Sequence, residues 1–131
     1  MGFLEGEVIV PREGKIYKSS GSGWAEIDSG RTQTTKHRFT TVNYDGTPTL
    51  IGVDGSNYPY SYDGTTFTDL TGNTDISGAQ HVVSFKDHTF YATGSLVSFT
   101  VPFEINDFTT ADGAGTLRVP NDVTGMVLFR S

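Results

Sequence analysis

The sequence predicts an all-β protein, an antiparallel meander of short, propeller-blade-like strands, with a β-sandwich as the runner-up. Asp-Gly pairs stand nine residues apart at Asp45/Gly46, Asp54/Gly55 and Asp63/Gly64, with a Thr71/Gly72 stop one step on. A two-residue hairpin turn needs positive φ, which Gly, Asn and Asp tolerate, so this rhythm reads as strands of about seven residues joined by turns of two. Sixteen glycines, 12% aromatics and only 18% charged residues also suit a turn-rich β protein. Helical periodicity is absent: no window keeps apolar residues at three- and four-residue spacing beyond two turns.

The expected strands follow in order. Glu7 to Val10 is stopped by Pro11 and Gly14; Lys15 to Ser19 leads through a Ser-Gly-Ser-Gly turn to Trp24–Asp28. Ser29 to Lys36, polar and Thr-rich, reads as a connector. The regular meander comes next, at Arg38–Tyr44, Pro48–Val53, Asn57–Tyr62 and Thr66–Thr71, followed by a second polar connector at Asn73–Ala79. His81–Phe85, His88–Ala92 and Leu96–Val101 turn at Lys86/Asp87 and Thr93/Gly94; a short helical turn is expected near Glu104–Phe108. Thr116–Val119 and Thr124–Arg130 complete the series. The chain of 131 residues thus divides into expected units 7–30, 37–72 and 81–119 of one all-β domain or fragment, with 124–131 starting another. An internal repeat fits this division. Tyr17-Lys-Ser-Ser-Gly-Ser-Gly-Trp24 aligns with Tyr60-Ser-Tyr-Asp-Gly-Thr-Thr-Phe67 at an offset of 43 residues, within the range of a propeller blade.

Composition narrows the chemistry. A net charge of −6 argues against general nucleic-acid binding, which needs clustered Lys and Arg, although an acidic wall could repel passing DNA. With no cysteine there are no disulfides or thiolate metal sites. The N-terminal MGFLEGEVIVPREGK carries two Glu before any basic residue and no long apolar stretch. It reads as neither signal peptide nor membrane anchor, so a soluble protein made in the cytoplasm is expected.

Tyr58, Tyr60 and Tyr62 fall on one face of a strand by period-two alternation. Such a stripe packs between sheets or at a subunit interface, where a tyrosine ring is apolar and its hydroxyl wet; alternatively it stacks on sugars. Trp24 has the same two readings. His37, His81 and His88 are too scattered for a metal site, and the Asp-Gly turns lack the run of an EF-hand. There is no Gly-x-Ser-x-Gly and no phosphate-cradling loop. Glu5/Glu7, expected on one strand face, and Glu104/Asp107, in one loop, read as solvated surface charge, with a glycosidase-like carboxylate pair as the alternative. Neither enzymatic activity nor a cofactor or metal is expected.

From about residue 79 onward the motifs Phe85-Lys-Asp-His-Thr-Phe90, Asn106-Asp-Phe108, Asp112-Gly-Ala-Gly115 and Thr124-Gly-Met-Val-Leu-Phe-Arg130 stand out. This stretch, 79–131, resembles blades of the β-propeller in the tail nozzle proteins of short-tailed bacteriophages. The resemblance implies a structural virion protein of a tailed phage, a nozzle, tube or adaptor component made in the host cytoplasm, with copies of itself and other tail proteins as partners and DNA passing without specific binding. Family propellers are longer chains, so the sequence is expected to be a fragment or a small relative completed by assembly. A closed propeller needs about four to eight blades, and fewer leave strand edges and apolar faces open. A ring or closed homo-oligomer is therefore expected. The alternative is a carbohydrate-binding module with an oligomerised propeller, using Trp24, Tyr58, Tyr60 and Tyr62.

Overall fold

A computed structural model describes residues 2–32 and 36–120. The expected strand at Thr124–Arg130 lies outside them. The described residues form twelve strands in three four-stranded antiparallel sheets, each a simple meander in chain order. The first sheet holds β1 (Gly2–Leu4), β2 (Glu7–Arg12), β3 (Lys15–Ser20) and β4 (Gly23–Asp28). The second holds β5 (Arg38–Val42), β6 (Thr49–Val53), β7 (Tyr60–Tyr62) and β8 (Phe67–Asp69). The third holds β9 (His81–Phe85), β10 (His88–Thr93), β11 (Leu96–Phe99) and β12 (Gly115–Arg118). Among the described residues no sheet closes into a barrel: the fold is an all-β meander. Among the described residues no helix is long and apolar enough to cross a membrane.

The turns differ from the expected two-residue Asp-Gly hairpins. Six residues separate β5 from β6 and β6 from β7, and four separate β7 from β8. Each aspartate instead folds its loop with its own carboxylate: Asp45 Oδ1 accepts from Thr47 N, Asp54 Oδ1 from Ser56 N and Asn57 N, and Asp63 Oδ1 from Thr65 N and Thr66 N. The following glycines take φ of 92°, 81° and 98°, where a side chain is strained. Two-residue loops occur at Glu5-Gly6, Glu13-Gly14, Gly21-Ser22, Lys86-Asp87 and Gly94-Ser95; the first, second and fourth have positive φ at both positions, a geometry that matches the strand twist. The short strand β1 was not foreseen, and Glu5 is a turn residue rather than a strand partner of Glu7. The helical turn expected near Glu104 falls instead at Thr110–Asp112.

The second sheet lies between the other two. Alternation sends Leu50, Tyr60 and Tyr62 to the face that meets Leu4, Ile9 and Ile16 of the first sheet, with Phe39, Phe67 and Ile27 at the margin. Its opposite face sends Val42, Ile51 and Val53 toward Val82 and Tyr91 of the third sheet, with Leu70, Ile76 and Ala79 of the second connector sealing that layer. Fully burying each such side chain contributes roughly 1.5–3 kcal/mol, so the two layers dominate the stability. The first strands approach one another, β1 against β5 and β6, and β5 against β9. Successive meanders therefore stack with their first strands adjacent.

Candidate functional site

The densest polar constellation among the described residues is built on Arg31, in the connector between the first two sheets. Its backbone N–H donates to Gly14 O at 3.0 Å, which fixes the connector beside the β2–β3 turn. From there the side chain runs inward and is only 5% exposed. Nη1 donates to Asp69 at 2.8 Å and to Asp28 at 3.3 Å; Nη2 donates to Tyr58 O at 2.9 Å and reaches Asp54 at 3.5 Å. The guanidinium lies 4.6 Å from the centre of the Tyr60 ring and 5.8 Å from that of Phe67, and those two rings stack at 5.1 Å. One cation thus ties the end of β4, the β6–β7 loop and β8 together.

Asn57 completes the frame, donating to Thr32 O and to Asp54 Oδ2 while accepting from Thr32 N. The Asp54 carboxylate, with its side chain fully buried, would be raised in pKa by burial, but the hydrogen bonds from Asn57 and Ser56 and the Arg31 charge hold it below the ordinary aspartate range. Burial drives His37 the other way for a base, below its usual value, with Arg31 adding to the effect and Asp54 opposing it. The Tyr60 phenol, 3.3 Å from His37 Nδ1, is pushed well up by burial. A cleft of about 330 Å³ opens beside this cluster, between Ser29, Arg31, Asn57, Asp69 and Ser77. Its carboxylates are committed to the guanidinium. Among the described residues no group of His, Asp or Glu gathers in a way that could hold a metal ion. The arrangement locks two sheets in register and orientation.

The four aromatic residues singled out from the sequence are divided by the fold. Tyr60 and Tyr62 do share a face, but both are buried in the layer between the first and second sheets and offer no surface for a sugar. Tyr58 does not belong to their stripe: β7 begins only at Tyr60, and Tyr58, held in the loop shaped by Asp54, packs on the opposite layer toward the third sheet. Trp24 is apart from all three, 57% exposed on the outer face of the first sheet. It borders a hollow of about 450 Å³ with Val10, Arg12, Glu13 and Tyr17. Arg31 was missed by sequence reasoning, because a single arginine within a Ser-, Gly- and Thr-rich connector belongs to no periodic pattern.

The Asn106-Asp-Phe108 motif forms the other joint. Asn106 Oδ1 accepts from Gly72 N at 2.7 Å, and the two backbones pass so closely that a side chain at Gly72 would collide with Asn106. Asp107 takes both the N–H and hydroxyl of Thr109, and Phe108 packs on Tyr91, whose own hydroxyl donates to Ile105 O at 2.8 Å. The motif therefore links the third sheet to the connector leaving the second. Comparison with family models, curated proteins and solved structures gives no match for this chain.

Proposed function

We propose that this protein is a structural virion component of a tailed bacteriophage, a tail nozzle, tube or adaptor element that works by assembling into a closed ring. The observation that carries the reading is the stacking of three meander sheets about neighbouring first strands, with outer faces still apolar at both ends of the stack. The stretch that resembles the nozzle family contributes the third sheet, and its Asn106-Asp-Phe108 motif serves as an inter-sheet joint, a role in keeping with a recurring blade element. The net charge of −6 suits a part that DNA slides past, since like charges repel over a Debye length of about 8 Å at physiological salt. β1, β5 and β9 carry Arg38 and His81 but no carboxylate. A repelling surface would then be presented by the aspartate-bearing turns.

The test is localisation. Particles assembled from the genome that carries this reading frame, purified on a density gradient and digested for mass spectrometry, should contain its peptides at a fixed copy number, with antibody label at the tail. Peptides confined to the lysate supernatant would overturn the reading.

A second reading, glycan binding, keeps one supporting observation: exposed Trp24 beside Tyr17, with Arg12 and Glu13 at the rim of the hollow. Loss of glycan-array signal in Trp24→Ala with an unchanged fold would favour it.

A further inference from the structure

The 43-residue repeat is also a repeat of register. In the first sheet Ser19 stands opposite Trp24, Lys18 opposite Ala25 and Tyr17 opposite Glu26. In the second sheet Tyr62 stands opposite Phe67, Ser61 opposite Thr68 and Tyr60 opposite Asp69, the same three pairs moved on by 43 positions. Tyr17 and Trp24 therefore occupy, on the outer face of the first sheet, the positions that Tyr60 and Phe67 occupy on the second. There, Tyr60 is fully buried and Phe67 packs at its margin, both against the sheet before them. The outer face of the first sheet has the same design, with Phe3, Val8 and Val10 beside Tyr17 and Trp24, yet Phe3 is 63% exposed and no sheet among the described residues lies on that face.

The other end carries the complement. At both internal layers the leading sheet offers aliphatic side chains, Ile9 and Ile16 in one and Ile51 and Val53 in the other, and the following sheet sets Tyr60 and Tyr62 on the first and Tyr91 on the second. By strand alternation the third sheet turns Val82 and Tyr91 to the second sheet and Val83, Phe90, Val97, Phe99 and Leu117 outward. Leu117 is 60% exposed, and no further sheet among the described residues lies on that face.

We infer that the outer face of the third sheet receives the Tyr17–Trp24 face of a second copy of this chain, and that two copies joined twice in this way close a six-bladed ring. This rests on the ring-forming reading above and supplies its partner and number. The contact is head-to-tail, joining unlike faces, so it forms a closed particle only where the rotation closes. The 131 residues supply three sheets among those described, and a ring of about four to eight blades built from copies of that unit leaves six as the multiple of three.

Sedimentation equilibrium of the 131-residue chain should give twice the single-chain mass. Trp24→Asp and Leu117→Asp, at exposed positions that leave the fold intact by circular dichroism, should each weaken pairing about 30-fold or more. Mixing these two variants should restore a one-to-one pair, because the sound third-sheet face of one meets the sound first-sheet face of the other. A dimer that ignores Leu117→Asp, a mass that grows without stopping at two, or a single-chain mass up to about millimolar concentration overturns the pairing. So does a single-chain mass with a lowered melting temperature in Leu117→Asp, which assigns that face to the chain's own segment 121–131. A two-copy ring that never enters virions would instead overturn the functional reading and leave the pairing standing.

Discussion

The two inter-sheet joints bury similar apolar layers but lock them by different means. Between the first and second sheets the connector contributes a buried cation, Arg31, shared among Asp28, Asp54 and Asp69 and laid on Tyr60 and Phe67. Between the second and third sheets the lock is mostly backbone: Gly55 N to Ala79 O, Gly78 N to Asn57 O and Gln80 N to Ala92 O, with Asn106 receiving Gly72 N. Neutral hydrogen bonds are individually modest and separable, about 0.5–1.5 kcal/mol each. A buried ion cluster is different, because removing one partner leaves the others charged in a poor solvent. The first joint should fail at one residue and the second only by accumulation.

Arg31→Ala should therefore have the largest effect, roughly 3–5 kcal/mol of stability, since it strands the buried Asp54 carboxylate and uncovers the Tyr60 and Phe67 rings. Urea denaturation gives the size. Hydrogen exchange gives the location: protection should drop in β1–β4 and persist in β9–β11. Uniform loss across all three sheets would show that the joints are not independent. Gly52→Ala comes next, at about 1–3 kcal/mol. Gly52 stands opposite Tyr60, and an added Cβ would run into that ring, displacing the platform on which Arg31 rests. Its denaturation midpoint should fall while the third sheet keeps its protection.

At the second joint Asn106→Ala should cost only about 0.5–1.5 kcal/mol, read as a melting shift of a few degrees. Asn106→Asp keeps an acceptor for Gly72 N and should restore protection of that amide. Equal exchange in both variants would mean that the backbone approach at Gly72, rather than the side-chain bond, holds the loop.

The same contrast explains what could be read in the sequence. The second sheet was the most legible because alternation and Asp-Gly turns mark it, and Lys86/Asp87 was recognisable as the turn of the third. The loop lengths were not legible: whether an aspartate starts a two-residue hairpin or caps the next amides with its carboxylate depends on where the strands resume. Gly2–Leu4 escaped because three residues carry too little alternation to read, and its turn uses Glu5 at positive φ. For the candidate site, the shared face of Tyr60 and Tyr62 follows from period two, whereas Tyr58 precedes the strand and obeys no such rule. Arg31 depends on groups brought from 23 to 38 residues away, which no local pattern announces.

Acid should separate the joints by the smallest effect near neutrality and a growing one below it. Asp54 has its pKa held under the ordinary aspartate value near 3.8, so the folded state binds its proton less readily than the unfolded chain does. Its contribution is fully present above that ordinary value and is lost as pH falls through the lower folded pKa. His37, lowered by burial, favours the neutral ring in the folded state, so below its ordinary value near 6.5 the unfolded chain gains protons first and stability begins to fall there. Asp54→Asn should be less stable than the native sequence at pH 7, and the two stability curves should converge as pH drops below the aspartate range. Asp63 and Asp107, whose pKa values are lowered mainly by local hydrogen bonds outside the first joint, keep their slopes in both proteins, so the difference between the curves reports Asp54 together with its effect on His37, whose lowering Asp54 opposes. Parallel curves down to pH 2 would show that the Arg31 cluster holds without its buried carboxylate charge, placing the strength of the first joint in ring stacking and the exposed Asp69 bond.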